Sequence, residues 1–460
     1  MLKKFLYLSI AVFIVFSSIT SFAEEKSSNV NVSEKIVVKF DYIPMVSLAS
    51  PDGRHVAYVA EAAGKQFVVV DGKVGKSYDG IGSTLSFSMD SRHFAYGAQS
   101  GKKQFVVIDG KEGKYYDAIG SRIVFSPDSK RIAYAAKAEK NCFAVIDGKE
   151  GKNYEGIGLN FVFSSDSRHL AYGAQSGKKQ FVIIDEKEGK YYDGVGDNIV
   201  FSPDSNHIAY HGKTDKKRFL IVDGKEGKLY DDISEPFIFS PDSKHVAYIA
   251  KSANKWLVVV DGKEGKYYDG VGSNIVFSPD SNRIAYQVEL EKRRFLIVDG
   301  QEGKGYERIG STVAFSPDSK HVAYIAMSGN KRFVVSVDGK EEKQYDLIGN
   351  GSLVFSNDGK RWAYAAESEK KRFVVVNGKE GKHYDGIGNR YLVFSPDSKK
   401  IMYVAQSGDK QIVVVNDKEI NQYDGILALE NGGFVFDTFD SFHFLAIKGK
   451  SIYLVEVKIK

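Results

Sequence analysis

One phrase, repeated eleven times, constrains this chain more than any other feature. The phrase Phe-Ser-Pro-Asp-Ser recurs with small changes, and its first eight aspartates follow one another at intervals of 38 residues. These are Asp52, Asp90, Asp128, Asp166, Asp204, Asp242, Asp280 and Asp318, and Asp358, Asp397 and Asp440 follow at 40, 39 and 43 residues. A fixed period of this length is typical of repeat proteins, in which each unit packs on its neighbours. The spacing therefore predicts eleven like units from about residue 36 onward.

Each unit predicts four short β-strands and no helix. In the second copy, strands are expected at Leu85–Ser88, His93–Ala98, Gln104–Ile108 and Lys114–Asp117. Turn residues separate them, including the Asp109-Gly110 pair that favours a hairpin, and Gln99–Lys103 is predicted to be a polar loop. A lone sheet of this size exposes apolar faces, so neighbouring units must cover them. The chain is predicted to be all-β, with eleven four-stranded blades of about 38 residues.

Aromatic residues recur at fixed places in the unit. Phe stands three residues before the motif Asp in nine units. Tyr stands six residues after it in ten units, at Tyr58, Tyr96, Tyr134, Tyr172, Tyr210, Tyr248, Tyr286, Tyr324, Tyr364 and Tyr403. One large ring per unit at a constant position is what packing between sheets requires. An exposed aromatic platform for a ligand is the alternative interpretation.

The segment Phe125–Tyr134, Phe-Ser-Pro-Asp-Ser-Lys-Arg-Ile-Ala-Tyr, resembles the WD-like repeat of TolB-type β-propellers. The resemblance covers nearly all of the chain after residue 36. It implies a propeller of four-stranded blades that acts in the bacterial envelope or periplasm and binds partner proteins. The third and fourth strands depart from TolB, and a TolB-like N-terminal domain is absent from the sequence.

The ends of the repeat array suggest how a ring could close. Ile36–Ile43 resembles the later strands of a unit, whereas Ser451–Lys458 resembles a third strand with no fourth strand after it. The first segment is therefore predicted to complete the last blade, which removes open sheet edges. Eleven blades exceed the usual four to eight. Two propellers, 36–231 and 232–460, are one possibility, because Asp231–Pro236 breaks the Gly-x-Gly pattern, and one continuous ring over 36–460 is the other.

Residues 1–23 have the features of a secretory signal peptide. Lys3 and Lys4 precede the apolar run Phe5–Ile19, and Ser21-Phe22-Ala23 forms a cleavage site. Residues 24–35 are predicted to be a polar linker. The single cysteine is Cys142, so the sequence offers no lipid-carrying cysteine after the signal and no internal disulfide. The expected location is the periplasm or the medium, with no transmembrane segment after cleavage.

Motifs for catalysis or cofactor binding are missing from the sequence. It contains no Gly-x-Ser-x-Gly elbow, no His-Glu-x-x-His, no phosphate loop and no EF-hand loop. Seven of the nine histidines lie three residues after the motif Asp, one per unit, a spacing that keeps them too far apart to share a metal. The net charge of +5 falls by two when Lys3 and Lys4 are removed, which gives no general attraction to nucleic acid. We expect no cofactor, no metal and no enzymatic activity, although a propeller lyase or hydrolase remains a further alternative.

Cations concentrate in the loop between the second and third strands. On the predicted topology this loop shares a face of the array with the Asp-Gly-x-Gly segments, and a basic rim there could bind an anionic partner. The rim residues are Lys178, Lys179, Lys216, Lys217, Arg218, Arg293, Arg294, Lys331, Arg332, Lys371 and Arg372. Lysines that only keep blade edges soluble are the competing interpretation. The hypothesis is a scaffold that binds an envelope protein, with a glycan or envelope polymer as the alternative ligand.

Overall fold

The computed structural model describes residues 30–328, 331–336, 340–388, 391–429 and 432–459. Over these residues the chain folds into eleven antiparallel β-sheets and no α-helix. This confirms the all-β prediction of four-stranded blades. The predicted signal peptide, residues 1–23, lies outside the described residues, as do residues 24–29 of the predicted linker. No helix among the described residues is long and apolar enough to cross a membrane.

The strands of blades 1 to 10 follow one another in chain order, whereas blade 11 takes its fourth strand from the N-terminal segment. The first strands of blades 1 to 8 are Val46–Ala49, Gly80–Phe87, Ala118–Phe125, Gly156–Phe163, Gly194–Phe201, Asp232–Phe239, Gly270–Phe277 and Arg308–Phe315. In blades 9 to 11 the first strand is divided into two short segments, which are Leu347–Ile348 with Val354–Phe355, Gly386–Ile387 with Val393–Phe394, and Gly425–Ile426 with Val435–Phe436. The second strands are Val56–Ala62, Phe94–Ser100, Ile132–Ala138, Leu170–Ser176, Ile208–Thr214, Val246–Ser252, Ile284–Leu290, Val322–Ser328, Trp362–Ser368, Ile401–Ser407 and Ser441–Lys448.

The third and fourth strands complete each sheet. The third strands are Lys65–Val70, Lys103–Ile108, Asn141–Ile146, Lys179–Ile184, Lys217–Val222, Lys255–Val260, Arg293–Val298, Lys331–Ser336, Lys371–Val376, Lys410–Val415 and Ser451–Ile459. The fourth strands are Lys73–Tyr78, Lys111–Glu112, Lys149–Glu150, Lys187–Glu188, Lys225–Glu226, Lys263–Glu264, Gln301–Glu302, Lys379–Glu380 and Lys418–Tyr423, with Val30–Lys39 in blade 11. The described residues of blade 8 give three strands.

Buried apolar side chains join each blade to the next. The motif tyrosines lie in these interfaces, as the repeat pattern predicts, and Tyr172 and Tyr210 are 3 % exposed. Tyr172, for example, packs in one cluster with Ala133 and Ala135 of the preceding blade. The first strands of adjacent blades also contact one another, which places them on the inner wall of the array. A ligand platform made of the motif tyrosines is therefore wrong, because these rings are enclosed between sheets.

The contacts continue from blade 11 back to blade 1. Leu445 and Leu454 of blade 11 share a cluster with Tyr58 and Phe67 of blade 1. The ring is also continuous at Asp231–Pro236, where Tyr230 of blade 5 packs with Phe237 and other residues of blade 6. Apolar contacts are thus present both across the predicted seam at 231–232 and between blades 11 and 1.

The N-terminal strand closes the ring, but it begins earlier than the sequence analysis places it. Val30–Lys39 pairs along its length with the third strand of blade 11, from Val30 opposite Ile459 to Lys39 opposite Ser451. Glu34 fixes the strand, since its carboxylate accepts hydrogen bonds from Tyr423 at 2.9 Å and from Lys448 at 2.6 Å. The boundary of the predicted linker at residue 35 is therefore wrong. The alternation of Val30 and Val32 with polar residues is the strand signal that it overlooks.

Three further local predictions need correction. The fourth strand of blade 2, predicted at Lys114–Asp117, lies at Lys111–Glu112. The loop predicted at Gln99–Lys103 is a tight hairpin, in which only Gly101 and Lys102 lie between the second and third strands. The first strand of blade 2 begins at Gly80 instead of Leu85, because the Gly-x-Gly segment is part of the strand. Its pairing with the second strand shifts register between Ile81 and Leu85, which is where a bulge accommodates the glycine.

Candidate functional site

The alternating strand directions give the ring two different faces. One carries the Ser-Pro-Asp-Ser turns and the Asp-Gly turns between third and fourth strands, and we call it the turn face. The other carries the hairpins between second and third strands, such as Gly101-Lys102, and we call it the hairpin face. The aspartates that follow the fourth strands, such as Asp117, also lie on the hairpin face, as the sequence predicts, because Asp117 accepts a hydrogen bond from the backbone of Glu139 in the next hairpin.

On the turn face, the same hydrogen bonds stabilise each turn and link it to the next blade. In blade 3 the Ser126 hydroxyl donates to the Asp128 carboxylate at 2.6 Å, and this hydrogen bond keeps the pKa of Asp128 below its usual value. The backbone N–H of Asp128 donates to Ser167 of the next blade at 2.9 Å. The same bond between blades recurs from Asp52, Asp90, Asp166, Asp204, Asp242, Asp280 and Asp358. These carboxylates stabilise turns and seal the interfaces between blades.

The motif histidines also have local partners on the turn face. His169 lies 2.7 Å from the Asp185 carboxylate of its own blade and stacks on Phe201 of the next blade. Arg131 takes the same place in blade 3, bonding Asp147 and lying over Phe163. Among the described residues no group of three or more His, Cys, Asp or Glu is arranged to hold a metal ion.

Many cations on the hairpin face form ion pairs with aspartates. Lys179 lies 2.8 Å from Asp193, Lys217 lies 2.6 Å from Asp231, and Lys371 lies 2.6 Å from Asp385. The second oxygen of each aspartate accepts a backbone N–H from the next blade, at Asp215, Ala253 and Gly408 respectively. Each lysine–aspartate pair therefore joins two blades, and these predicted rim residues serve the architecture.

The arginines of the predicted rim are engaged as well. Arg218 bonds Asp232 at 2.9 Å, Arg294 lies 3.4 Å from Glu289, and Arg372 bonds Glu367 at 2.8 Å. Arg293 donates to the carbonyl oxygen of Gly305 at 2.6 Å. The side chains of Lys331 and Arg332 lie outside the described residues. Of the predicted rim, this leaves Lys178 and Lys216 among the described side chains with neither an ion pair nor a hydrogen bond from the charged group.

Lys178 and Lys216 belong to a set that their position defines. Each is the second residue of its two-residue hairpin turn, is exposed, and has no ion pair or hydrogen bond from its ammonium within the described structure. We call the set the tip lysines: Lys102, Lys140, Lys178, Lys216, Lys292, Lys370 and Lys450. The first four occupy consecutive blades, 2 to 5, and form an unbroken arc. Of this set, the rim predicted from the sequence contains only Lys178 and Lys216, because the prediction did not consider the position within the turn.

The inner wall is where the blades differ most. Six residues before the motif Asp, the first strands carry Thr84, Arg122, Asn160, Asn198, Pro236, Asn274 and Thr312. Several bond across blades: Arg122 donates to the Asn160 side chain at 2.6 Å, and Asn160 donates to the carbonyl oxygen of Asp197 at 2.9 Å. A cavity of about 160 Å³ opens between blades 4 and 5, lined in part by Gly173, Val195 and Asp197. In the sequence, this wall can be recognised from the position six residues before the motif Asp, which varies between otherwise similar repeats.

Comparison with known proteins finds β-propellers among solved structures. No protein-family model matches the chain, and no curated protein matches it. A eukaryotic initiation factor structure is 13 % identical, with a TM-score of 0.40, over 73 % of this chain and 96 % of that one. TolB from Acinetobacter baumannii is 12 % identical, with a TM-score of 0.26, over 56 % of this chain and 62 % of that one.

A third similar structure is the β-propeller domain of the Trilobed protease from Pyrococcus furiosus, described as having an open velcro topology. It is 18 % identical, with a TM-score of 0.28, over 56 % of this chain and 96 % of that one. The chain is thus similar to TolB and to other β-propellers. Over the described residues the chain has eleven sheets, and blade 11 shares an apolar cluster with blade 1.

Proposed function

We propose that this chain is an exported, non-enzymatic β-propeller scaffold whose hairpin face binds an acidic protein partner in the bacterial envelope. The observation that carries the proposal is the arc of four unpaired tip lysines in blades 2 to 5, Lys102, Lys140, Lys178 and Lys216. Cations at the strand ends beside them are neutralised by aspartates, whereas these four project from the hairpin tips into solvent.

The arc suits an interaction surface better than a solubilising edge. Lysines needed only for solubility would be expected on every hairpin, yet blade 1 has Ala63-Gly64 at this tip, blade 6 has Ala253-Asn254 and blade 10 has Gly408-Asp409. Uncompensated charges on one side of a ring create a local positive potential and speed the encounter with an acidic surface. An anionic envelope glycan is the second candidate ligand, since the same charges would attract it.

Export and the absence of catalysis belong to the same proposal. Support for export comes from the sequence of residues 1–23, with Lys3 and Lys4, the apolar run Phe5–Ile19 and a small residue at Ala23. Support for a scaffold comes from the repeated aspartates and tyrosines, which hold turns and blades together. A catalytic site would require different groups converging from different blades.

The test is capture from an envelope extract followed by affinity measurement with the purified partner. We expect binding to weaken at least tenfold between 0.15 M and 1 M salt, because screening shortens the reach of exposed charges from about 8 Å to about 3 Å. Replacing the four arc lysines by glutamate should abolish binding and leave the circular dichroism spectrum unchanged. Protease treatment of the extract before capture distinguishes a protein partner from a glycan.

The matched control reverses tip lysines outside the arc. A variant with Lys292, Lys370 and Lys450 changed to glutamate alters a similar amount of charge on the same face of the ring. We expect this variant to bind within threefold of the unmodified protein. Equal loss in both variants would show that overall charge, and not the arc, governs the interaction, and affinity that ignores salt and both variants would refute the proposal.

A further inference from the structure

The inner wall of blades 5 and 6 carries negative charge that the other described blades do not place there. Asp197 and Glu235 occupy the position of Ser121 in blade 3, Ser273 in blade 7 and Ser311 in blade 8. Asp197 has no ion-pair partner among the described residues. Partial burial, and then the nearby Asp197 charge, raise the pKa of Glu235. Two carboxylates therefore lie on the inner wall within electrostatic range of each other.

The nearby basic groups leave this charge uncompensated. His211 is 8 % exposed, and its Nδ1 lies 3.4 Å from the Glu235 carboxylate without forming a hydrogen bond to any group. Burial lowers the pKa of His211 below its usual 6.5, which keeps the ring neutral at pH 7. Arg218 attracts Glu235, but its guanidinium is bonded to Asp232 at 2.9 Å. A cation supplied from outside would balance the two carboxylates.

The adjacent cavity has a specific origin in the sequence. At the interface of blades 3 and 4 the corresponding space is occupied by Ala135 and Ile157, and at that of blades 2 and 3 Ile119 compensates for Gly97. A Cβ atom on Gly97 would meet Ile119 at 2.7 Å, whereas a Cβ atom on Gly173 would meet nothing within 4 Å. Gly173 opposite the shorter Val195 therefore leaves the space open.

The lining of the cavity combines apolar side chains, amides and one carboxylate. Ile157, Ala174 and Val195 contribute apolar side chains, Asn160, Gln175 and Gln180 contribute amides, and Asp197 supplies the carboxylate. A chain of methylenes that ends in a cation suits this lining, because the methylenes can pack on apolar groups while the charge meets the carboxylate.

We propose that the wall between blades 4 and 6 binds an alkylammonium group, of the kind that a lysine side chain or a free diamine carries. The methylenes occupy the cavity beside Gly173 and Val195, and the ammonium pairs with Asp197 within reach of Glu235. This site is independent of the tip lysines, which attract the opposite charge. The inner wall would thus recognise a basic group, whereas the hairpin face recognises acidic groups.

The experiment titrates the mature protein with three small probes and follows binding by calorimetry and NMR. The probes are N-acetyl-lysine methylamide, 1,5-diaminopentane and N-acetyl-norleucine methylamide, the last a neutral analogue of the first. We expect saturable binding of at least one ammonium probe and at least tenfold weaker binding of the norleucine probe. Preference for the first probe assigns a polypeptide lysine, and preference for the second assigns a free amine. Absence of saturable binding by both ammonium probes, or equal binding of the norleucine probe, would overturn the proposal.

Variants that copy residues found elsewhere in the ring make the test specific. Asp197→Ser reproduces blade 3, and Gly173→Ala with Val195→Ile reproduces the filled interface of blades 3 and 4. Each should weaken the ammonium probe at least tenfold while the midpoint of thermal unfolding stays within a few degrees. As a control, Glu155→Ser removes a carboxylate of blade 4 that does not belong to the wall, and it should change the affinity for the ammonium probe less than twofold. A loss with Glu155→Ser equal to that with Asp197→Ser would show nonspecific attraction and refute the site.

Discussion

The surfaces between blades and the inner wall of the ring are made by the same repeat, yet they differ in how closely the blades agree. Between blades, a buried tyrosine and a serine–aspartate turn recur at nearly every interface, and a lysine–aspartate pair recurs at seven interfaces of the described residues. On the wall, the same strand position carries threonine, arginine, asparagine or proline. The difference shows which parts of a repeat are held by packing and which are free to vary.

Closure of the ring explains this division. Each interface must repeat the same geometry, so a change in one interface would disturb the ring, and the residues that set the interface remain alike. A wall residue lies outside the packed interface and can change without moving a blade. Features that belong to one part of the ring, such as the carboxylates Asp197 and Glu235, are therefore found on the wall.

The largest expected effect tests whether the motif tyrosines are packed in the surfaces between blades. Tyr172 is 3 % exposed, whereas Tyr191 of the same blade is 43 % exposed and stacks on Phe181. Tyr172→Ala should lower the free energy of unfolding by about 3 kcal/mol or more, as expected for a truncated core aromatic. Tyr191→Ala should cost about 1 kcal/mol or less. Denaturant unfolding measures both, and a loss below about 0.5 kcal/mol for Tyr172→Ala would place that ring outside the core.

A smaller effect separates two serines of equal chemistry. Ser167 is buried and accepts the Asp128 N–H of the preceding blade, so Ser167→Ala leaves that donor unpaired and should cost about 1–3 kcal/mol. Ser121 is exposed on the wall, and Ser121→Ala should change the free energy of unfolding by about 0.5 kcal/mol or less. Similar values for the two variants would contradict the division between interface and wall.

The sequence alone predicts the parts of the fold that repeat. Asp128 and its equivalents mark the turns, Tyr172 and its equivalents mark the interfaces, and the N-terminal segment is correctly expected to complete the last blade. These predictions succeed because the same pattern occurs eleven times, so that a position that is ambiguous in one copy is identified from the other copies. The number of rings could not be derived, because the contact of Leu445 with blade 1 depends on curvature accumulated over all the blades.

The candidate sites were harder to predict, for a physical reason. Lys178 and Lys179 are adjacent and chemically identical, yet one occupies a hairpin tip and the other begins a strand and meets Asp193. A one-residue error in the strand boundary removes that distinction. The cavity beside Gly173 depends on the combined volumes of residues in two different blades, which single-position reasoning does not compare.

The smallest expected effect concerns pH and the two titratable groups at the interface of blades 5 and 6. The lowered pKa of His211 means that the unfolded chain binds a proton more readily, so its contribution to stability is lost as pH falls below 6.5. Glu235 has the opposite sign, because its raised pKa favours the folded state as pH falls toward 4.5. His211→Gln, which copies Gln287 of blade 7, should reduce the loss of stability between pH 7.5 and 5.5.

Thermal unfolding of the variant and the unmodified protein across that range measures the difference. Glu235→Gln should have the opposite effect and make acidification more destabilising. An unchanged pH profile in His211→Gln would show that folding does not lower the pKa of this ring, and would remove the basis for a neutral His211 beside the wall carboxylates.

The central claim, one ring of eleven blades closed by the N-terminal strand, is tested most directly by a crosslink across the closure. Ser33 and Glu456 are register partners in blade 11, and the Ser33 hydroxyl donates to the Glu456 carboxylate at 3.2 Å. In a Cys142→Ser background, Ser33→Cys with Glu456→Cys should form an intramolecular disulfide on mild oxidation, read by mass spectrometry of the linked peptides. The ring predicts near-complete linkage within the monomer. Failure to link these positions, together with two folded fragments after proteolysis near 231–236, would contradict the single ring.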